Sequence, residues 1–314
     1  MNPRSQTCSV GIDIGGTKTQ AVAIDQCGDV VGTISRPTEQ GPAAVVETTA
    51  AVYEELCAGL GGAASLGIGI PGIVDPHGRV MHAVNVGLKD IDLAGAIESR
   101  LGVRPTVGND VSMAALGAAH QPGSTDSLAF LNLGTGLALG IVLDGALYTG
   151  GTAVAGEIGH LPVDPAGPVC KCGQRGCLEL YLSGSALERL WPTEMGHAAD
   201  ELFHAASEGD TSAVAIVDSF IGRLAWAVQL IAVSFDVTEV IIGGGLSALG
   251  SRLLSPLQSR LQEEACASAF LHTLALDERV ALIPLGYPAA AVGAAIDGLR
   301  CAERPTQQRL RTTA

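Results

Sequence analysis

Positive charge is scarce in this 314-residue sequence, where 18 Lys and Arg stand against 32 Asp and Glu for a formal net charge of −14. Sequence-independent nucleic-acid binding and attachment to an anionic membrane surface both draw on clustered cations, so neither is expected. Long apolar runs are also missing. No run of about 18 apolar residues is free of charges and glycines, so no membrane span is expected. The opening MNPRSQTCSVGIDIGG lacks the apolar run and small-residue cleavage site of a signal peptide. The expected compartment is the cytoplasm, where thiols stay reduced. No low-complexity linker stands out, and the P-loop spacing G-x-x-x-x-G-K-[ST] is absent.

What the chain does have is apolar content of 47%, enough for a sizeable core and two domains. Five of its eight cysteines, Cys8, Cys27, Cys57, Cys266 and Cys301, are scattered singly and read as small hydrophobes. Cys170, Cys172 and Cys177 are clustered in GEIGHLPVDPAGPVCKCGQRGCLE, residues 156–179. A reducing compartment disfavours a disulfide framework there. The spacing C-x-C is not the C-x-x-C of a thioredoxin-like redox pair.

Short β-branched runs alternate with helical stretches, the pattern of an α/β protein. Strands are expected at 9–14, 21–25, 66–70, 105–107, 128–133, 139–143 and 237–242. Helices are expected at 43–60, 91–101, 111–120, 211–235, 246–267 and 289–299, with a polar tail from 302 that frays. The turn-rich QPGSTDS, residues 121–127, is the candidate domain crossing.

An internal resemblance carries more than any one element. GIDIGGTKTQAVAID (11–25) and FLNLGTGLALGIVLD (130–144) align at a constant offset of 119, matching Asp13 to Asn132, Gly15 to Gly134 and Asp25 to Asp144. Each reads as strand, glycine turn with Thr, second strand. Two ordinary hairpins could share that style. A duplicated fold with two phosphate-gripping hairpins explains it better, because glycine lets backbone N–H groups approach phosphate and Thr hydroxyls donate to it. VIIGGGLSALG (240–250) adds a strand, three glycines and a helix, a weak signal alone that strengthens beside the hairpins.

These pieces in this order resemble the ROK family of bacterial sugar kinases, within the actin-like ATPase superfamily. The carrying residues are DIGGTK (13–18), GIGIPGIVD (67–75), ND (109–110), the run 131–160 ending in GEIGH, CKCGQRGCLE (170–179) and VIIGGGLS (240–247). The resemblance implies a two-domain actin-like ATPase (ribonuclease H-like) fold with the active site in the interdomain cleft. A smaller domain would comprise 1–120 plus the returning C-terminal helix in 288–314, and a larger one 121–287.

By that resemblance Asp110 is the general base that takes the proton of a sugar hydroxyl. Residue types alone favour reading Asn109–Asp110 as an ordinary helix cap, and the resemblance reverses that preference. Gly108 stands where the family often has Glu, and VSMAALGAAH departs from the family's Ala-rich helix, which bears on fine positioning. Asp13 is expected to help hold Mg²⁺ through water, with Gly15, Gly16 and Thr17 on the terminal phosphates of ATP. Gly134, Thr135 and Gly136 form the second clamp, and Gly243, Gly244 and Gly245 approach the adenosine end. Lys18 receives no role. Sugar hydroxyls are expected to meet Asn109, Asp110, Glu157, His160 and Glu179, and Asn85 unless it is a loop asparagine satisfying backbone.

The cysteine cluster then reads as a zinc site. His160, Cys170, Cys172 and Cys177 supply four N and S ligands, and a filled sphere leaves no open position for catalysis. Such a Zn²⁺ would be structural, fixing a loop with Glu157 at one end and Glu179 at the other. One ring nitrogen of His160 would be left for a sugar hydroxyl. Remaining histidines, His197 among them, read as surface or satisfied groups, and Trp191 and Trp226 as packing.

The function expected from the resemblance is ATP-dependent phosphorylation of the 6-hydroxyl of a hexose, glucose first. An N-acetylhexosamine kinase and a sugar-responsive regulator of the same family are the alternatives. The regulator would carry a helix-turn-helix domain before DIGGTK, which begins here at residue 13. Homodimers or homotetramers are expected from the family alone.

Overall fold

Residues 8–14 place apolar or small side chains at almost every position, the composition of a strand covered on both faces. A computed structural model, describing residues 8–60, 62–193 and 197–303, makes it the central strand of a five-stranded sheet. The sheet joins β1 (Cys8–Ile14), β2 (Lys18–Ile24), β3 (Val30–Pro37), β4 (Ala63–Ile70) and β8 (Thr106–Asn109) in the order β3-β2-β1-β4-β8. β1 runs antiparallel to β2 and parallel to β4, and β8 continues the parallel side with Asn109 opposite Ile70. A small sheet of β5 (Ile73–Val74), β6 (Arg79–Ala83) and β7 (Leu88–Asp92) lies between β4 and β8 in the chain. Helices α1 (Pro42–Leu60), α2 (Leu93–Leu101), α3 (Asp110–Ala119) and α10 (Ala289–Glu303) complete this unit.

The second five-stranded sheet repeats the first. Its strands are β9 (Leu128–Leu133), β10 (Leu137–Leu143), β11 (Ala146–Leu147), β12 (Glu239–Gly243) and β13 (Val280–Leu282), in the order β11-β10-β9-β12-β13. Strand by strand that is the order of the first sheet, and β9–β12 and β12–β13 are parallel like their counterparts. The offset of 119 also holds at the boundaries: β1 and β9 end at Ile14 and Leu133, β2 and β10 start at Lys18 and Leu137 and end at Ile24 and Leu143. The repeat is therefore one of topology as well as of turn style. Helices α4 (Gly184–Leu190), α5 (Ala198–Ser207), α6 (Thr211–Phe235), α7 (Ser251–Ala267), α8 (Ala269–Leu274) and α9 (Leu276–Arg279) belong to the second unit.

The two compact units comprise residues 1–126, 140–155 and 288–314, and residues 127–139 and 156–287. The chain first passes between them inside QPGSTDS. The expected division gives all of 121–287 to the larger domain, whereas 121–126 and 140–155 group with the first unit. Within that unit a Cβ on Gly140 would overlap the Val111 carbonyl oxygen, and Arg300 Nη1 donates to the Gly145 carbonyl at 2.6 Å. Both contacts are tertiary and leave no local signature.

Two expected helices are corrected at their starts. Ile91 and Asp92 end β7, and Asp92 caps α2 by accepting from the Gly95 N–H. The stretch 246–267 is a 3₁₀ turn, Gly245–Leu249, followed by α7, with Gly250 between them at φ 60°. Among the described residues α6 alone is long and apolar enough to cross a membrane by length and composition. Its buried stripe, Phe220, Leu224, Val228 and Ile231, has helical spacing, and Phe220 meets Phe203 of α5 edge-to-face at 6.4 Å. The expected polar tail lies, from residue 304, outside the described residues.

Glycine explains how α10 lies on the first sheet. A Cβ on Gly11 of β1 would overlap the Ala291 carbonyl oxygen, and one on Gly67 of β4 would overlap that of Ala294. On α10 itself, Gly293 occupies the same relation to the Met113 carbonyl of α3. Helix and sheet thus touch backbone to backbone. Gly67→Ala must push α10 away or distort β4, and overpacking of this kind costs about 1–3 kcal/mol or more. Thermal unfolding should show a Tm several degrees below wild type; an unchanged Tm would contradict the packing described.

Candidate functional site

In the first unit the glycine tip of the β1–β2 hairpin is closed by the Gly15 N–H donating to the Lys18 carbonyl at 2.9 Å. Gly16, Thr17 and Lys18 are exposed. Asp13 lies on β1, two residues before this tip, and is half-buried. Burial pushes its carboxyl up to about 7 from an ordinary 3.8, the Asp110 carboxylate adds to the rise, and Lys18 opposes it. Lys18, given no role from sequence, therefore acts on this carboxylate. Asn85, in the 3₁₀ turn Val84–Val86, stands beside the tip: its Cβ would be 3.3 Å from a Cβ on Gly16.

Asn109 and Asp110 divide the two readings of their pair between them. Asn109 is the helix cap, its Oδ1 accepting from the N–H groups of Val111 at 2.9 Å and Ser112 at 3.0 Å. Its Nδ2 donates to the Gly72 carbonyl at 3.1 Å, tying the Pro71–Gly72 turn of GIGIPGIVD to the start of α3. One amide hydrogen of Asn109 is left for a ligand. Asp110 is the first residue of α3, half-buried, with its Oδ1 accepting from the Val111 N–H at 2.9 Å. The Val111 N–H is thus shared between Asn109, which also takes the Ser112 N–H, and Asp110. The departure at Gly108 has a packing partner, since a Cβ there would overlap Met113 Cε.

In the second unit the β9–β10 tip is closed one residue tighter, the Gly134 N–H donating to the Gly136 carbonyl at 3.1 Å. Gly134 and Thr135 line a pocket of about 480 Å³ with Asn132, Gly244, Gly245, Gly184, Glu188 and His197. Asn132 is the repeat counterpart of Asp13. The glycines after β12 separate in role: a Cβ on Gly243 would overlap the Phe130 ring, whereas one on Gly245 meets nothing within 4 Å. Gly243 is thus a packing glycine and does not line the pocket. Gly244 has φ 80° and sits against Leu133 and Asn132. Such a pocket, lined by four glycines that let a ligand approach the backbone, suits a phosphorylated ligand.

His160, Cys170, Cys172 and Cys177 come together with all ligand atoms within 4.8 Å of one another. Cys170 Sγ lies 3.8 Å from His160 Nδ1, and Cys172 Sγ lies 3.6 Å from Cys177 Sγ. A tetrahedral zinc with ligands at 2.0–2.3 Å would set its donors about 3.3–3.8 Å apart, so the donor set fits. Burial and the neighbouring thiols push Cys177 well above the usual thiol range, while the Gln174 backbone N–H, first among several donors, draws Cys172 down. A divalent cation bound at the cluster would favour the thiolate of Cys177 that burial disfavours. The loop is also pinned by protein: Tyr181 donates to Asp164 Oδ2 at 2.7 Å, and Arg223 covers the Tyr181 ring at 4.7 Å.

The glutamates expected at the ends of this loop differ in setting. Glu157 is exposed, with Oε2 3.9 Å from His160 Nε2. Glu179 is more enclosed, its side chain 15% exposed, with Oε1 3.6 Å from Lys171 Nζ and Oε2 accepting from the Leu137 N–H at 3.1 Å. Sequence reasoning missed Ser185, Glu188 and His197. Ser185 Oγ donates to the Thr135 carbonyl at 2.8 Å, and the other two line the pocket. A lone His or Ser carries no periodic or motif signal; only the glycine tip they surround was visible.

A protein-family model described as the ROK family matches residues 9–296. The chain is 31% identical over 283 residues to a glucokinase of Halalkalibacterium halodurans, covering 82% of this chain and 86% of that protein. It is 34% identical over 254 residues to an N-acetyl-D-glucosamine kinase of Vibrio cholerae, covering 76% and 84% respectively. Among solved structures it is similar to a ROK family glucokinase from Streptomyces griseus in complex with glucose and AMPPNP. That match has a TM-score of 0.75 at 29% identity and covers 93% of this chain and 99% of that one. The mixed α/β architecture is the actin-like ATPase fold expected from the sequence.

Asp13 carries a pH signature. A carboxyl whose folded-state pKa is raised binds its proton more tightly folded than unfolded, so stability falls as pH climbs from 3.8 to about 7. Without magnesium, Asp13→Asn should therefore be more stable than wild type at pH 8, by an amount on the order of 1 kcal/mol or more, with the gap closing towards pH 4. Denaturant titrations at the two pH values check this; a gap that widens on acidification contradicts the assignment.

Proposed function

The chain belongs to the ROK family, and from that premise we propose that it transfers the γ-phosphoryl group of ATP to the 6-hydroxyl of a hexose, with glucose as the first substrate. The observation that carries this reading is the duplicated hairpin: two sheets of identical order, each with a glycine tip and an Asp or Asn on its leading strand. Phosphoryl transfer needs positioning and charge neutralisation more than covalent help from the protein, and glycine tips supply backbone N–H groups for both.

In this reading Asp110 accepts the proton of the attacking hydroxyl as the O–P bond forms. Asn109 holds Asp110 in place by capping α3 and anchoring Gly72. Asp13 bears on Mg²⁺ through water, and the ion would neutralise charge on the phosphates. Gly15, Gly16 and Thr17 serve the first hairpin, Gly134, Thr135 and Gly136 the second, and Gly244 and Gly245 the nucleotide pocket. Zinc would be held by His160 through Nδ1 and by Cys170, Cys172 and Cys177, a closed sphere whose task is to hold the loop. His160 Nε2, on the side of Glu157, is left for a sugar hydroxyl, and Glu157 and Glu179 accept from others.

The 34% identity to an N-acetyl-D-glucosamine kinase favours a second reading, in which the same groups hold an N-acetylhexosamine. A coupled ADP-release assay across glucose, mannose, N-acetylglucosamine and N-acetylmannosamine separates the two by ranking kcat/KM. Asp110→Ala should lower kcat by at least about 10²-fold, the scale of a general base, with sugar affinity and Tm near wild type. Turnover close to wild type would remove Asp110 from the role. Metal analysis of the purified chain should find about one zinc per chain, and a metal-free, fully active protein would refute the scaffold.

A further inference from the structure

Segment 179–185, which leaves the metal-ligand loop after Cys177, touches the tip of the β9–β10 hairpin at every turn. The Leu137 N–H donates to Glu179 Oε2 at 3.1 Å, the Gly184 N–H to the Gly134 carbonyl at 2.7 Å, and Ser185 Oγ to the Thr135 carbonyl at 2.8 Å. Ser183 locks the segment itself, its Oγ donating to the Glu179 carbonyl at 2.7 Å and accepting from the Ala186 N–H at 3.1 Å. The fit is close, since a Cβ on Gly136 would stand 2.5 Å from Glu179 Oε2. All of these residues belong to one unit.

From this arrangement we infer that Glu179 has a second task besides the sugar: with Ser185 it sets the geometry of the phosphate-binding tip, so that nucleotide affinity depends on the sugar-recognition loop. A three-residue glycine-rich tip has little conformational preference of its own, and ordering it costs free energy that pre-formed hydrogen bonds avoid at binding. A carboxylate accepting a backbone N–H is a charge-assisted hydrogen bond, among the stronger available. Glu157 lies at the other end of the same loop, and none of its described contacts reaches the tip. The two glutamates therefore differ in the one respect the inference concerns. Any disturbance of Glu179 that pulls Oε2 from Leu137, including a sugar hydroxyl competing for it, reaches the nucleotide tip.

The inference rests on the reading of Gly134–Gly136 as a phosphate clamp, and calorimetry of Mg·ADP binding to the zinc-loaded full chain without sugar tests the two apart. Glu179→Ala should weaken ADP about tenfold or more and Ser185→Ala about three- to tenfold, from the loss of one hydrogen bond each. Glu179→Gln keeps an acceptor for the Leu137 N–H and should stay within about threefold of wild type. Glu157→Ala should bind ADP as wild type does while losing affinity for the sugar. Gly245→Val, whose Cβ meets no protein atom, fills the pocket and should abolish ADP binding. Wild-type ADP affinity in Glu179→Ala and Ser185→Ala, with binding lost in Gly245→Val, overturns the inference and leaves the clamp standing. Wild-type affinity in Gly245→Val as well overturns the clamp and the inference together.

Discussion

Burial of the Asp13 carboxyl, with the Asp110 carboxylate near enough to add to its cost, is the constraint on which the candidate site of the first unit depends. Burial, with Asp110 adding to the rise and Lys18 opposing it, pushes the Asp13 carboxyl up to about 7. A cation brought to Asp13 would offset the cost of ionising this buried carboxyl. The surrounding structure serves to hold the pair there. β1 carries Asp13 to the edge of a glycine tip, the Asn109 cap positions Asp110, and the Gly72 carbonyl fastens Asn109. The cost is stability of the ligand-free protein, a common exchange at functional sites.

The second sheet keeps the same strand order and has Asn132 where the first has Asp13, which removes the charge from the equivalent place. Its chemistry is correspondingly one of holding rather than of reaction. Glycines line a pocket, and His160, Cys170, Cys172 and Cys177 gather in the loop that runs between Glu157 and Glu179. One fold, used twice, thus supplies an acidic half and a neutral half.

Much of this was legible because it rests on local pattern. The offset of 119 showed the duplication, and the strand boundaries at Ile14, Lys18 and Ile24 recur at Leu133, Leu137 and Leu143. That His160, Cys170, Cys172 and Cys177 come together was legible from donor type and spacing. Asn109–Asp110 was only half legible, since cap and base share residue types; the structure gives the cap to Asn109. β3 and β5 to β7 were not foreseen, because β3 is largely exposed and lacks a buried apolar face, while β5 has only two residues. His197, Glu188 and Ser185 depend on tertiary proximity to a tip about 50 residues away, which no window of sequence contains. The glycines under α10 were visible as composition but not as contact sites, because the overlap they avoid is with a helix more than 200 residues later.

The central claim is that the protein makes a phosphate ester at the 6-hydroxyl of a hexose from ATP. Phosphorus NMR of the reaction with Mg·ATP and glucose, repeated with N-acetylglucosamine, reads the product directly. The account predicts a phosphomonoester resonance coupled to the two C6 protons, growing in equal amount with ADP. Release of inorganic phosphate without ester, or an ester at any other carbon, contradicts it.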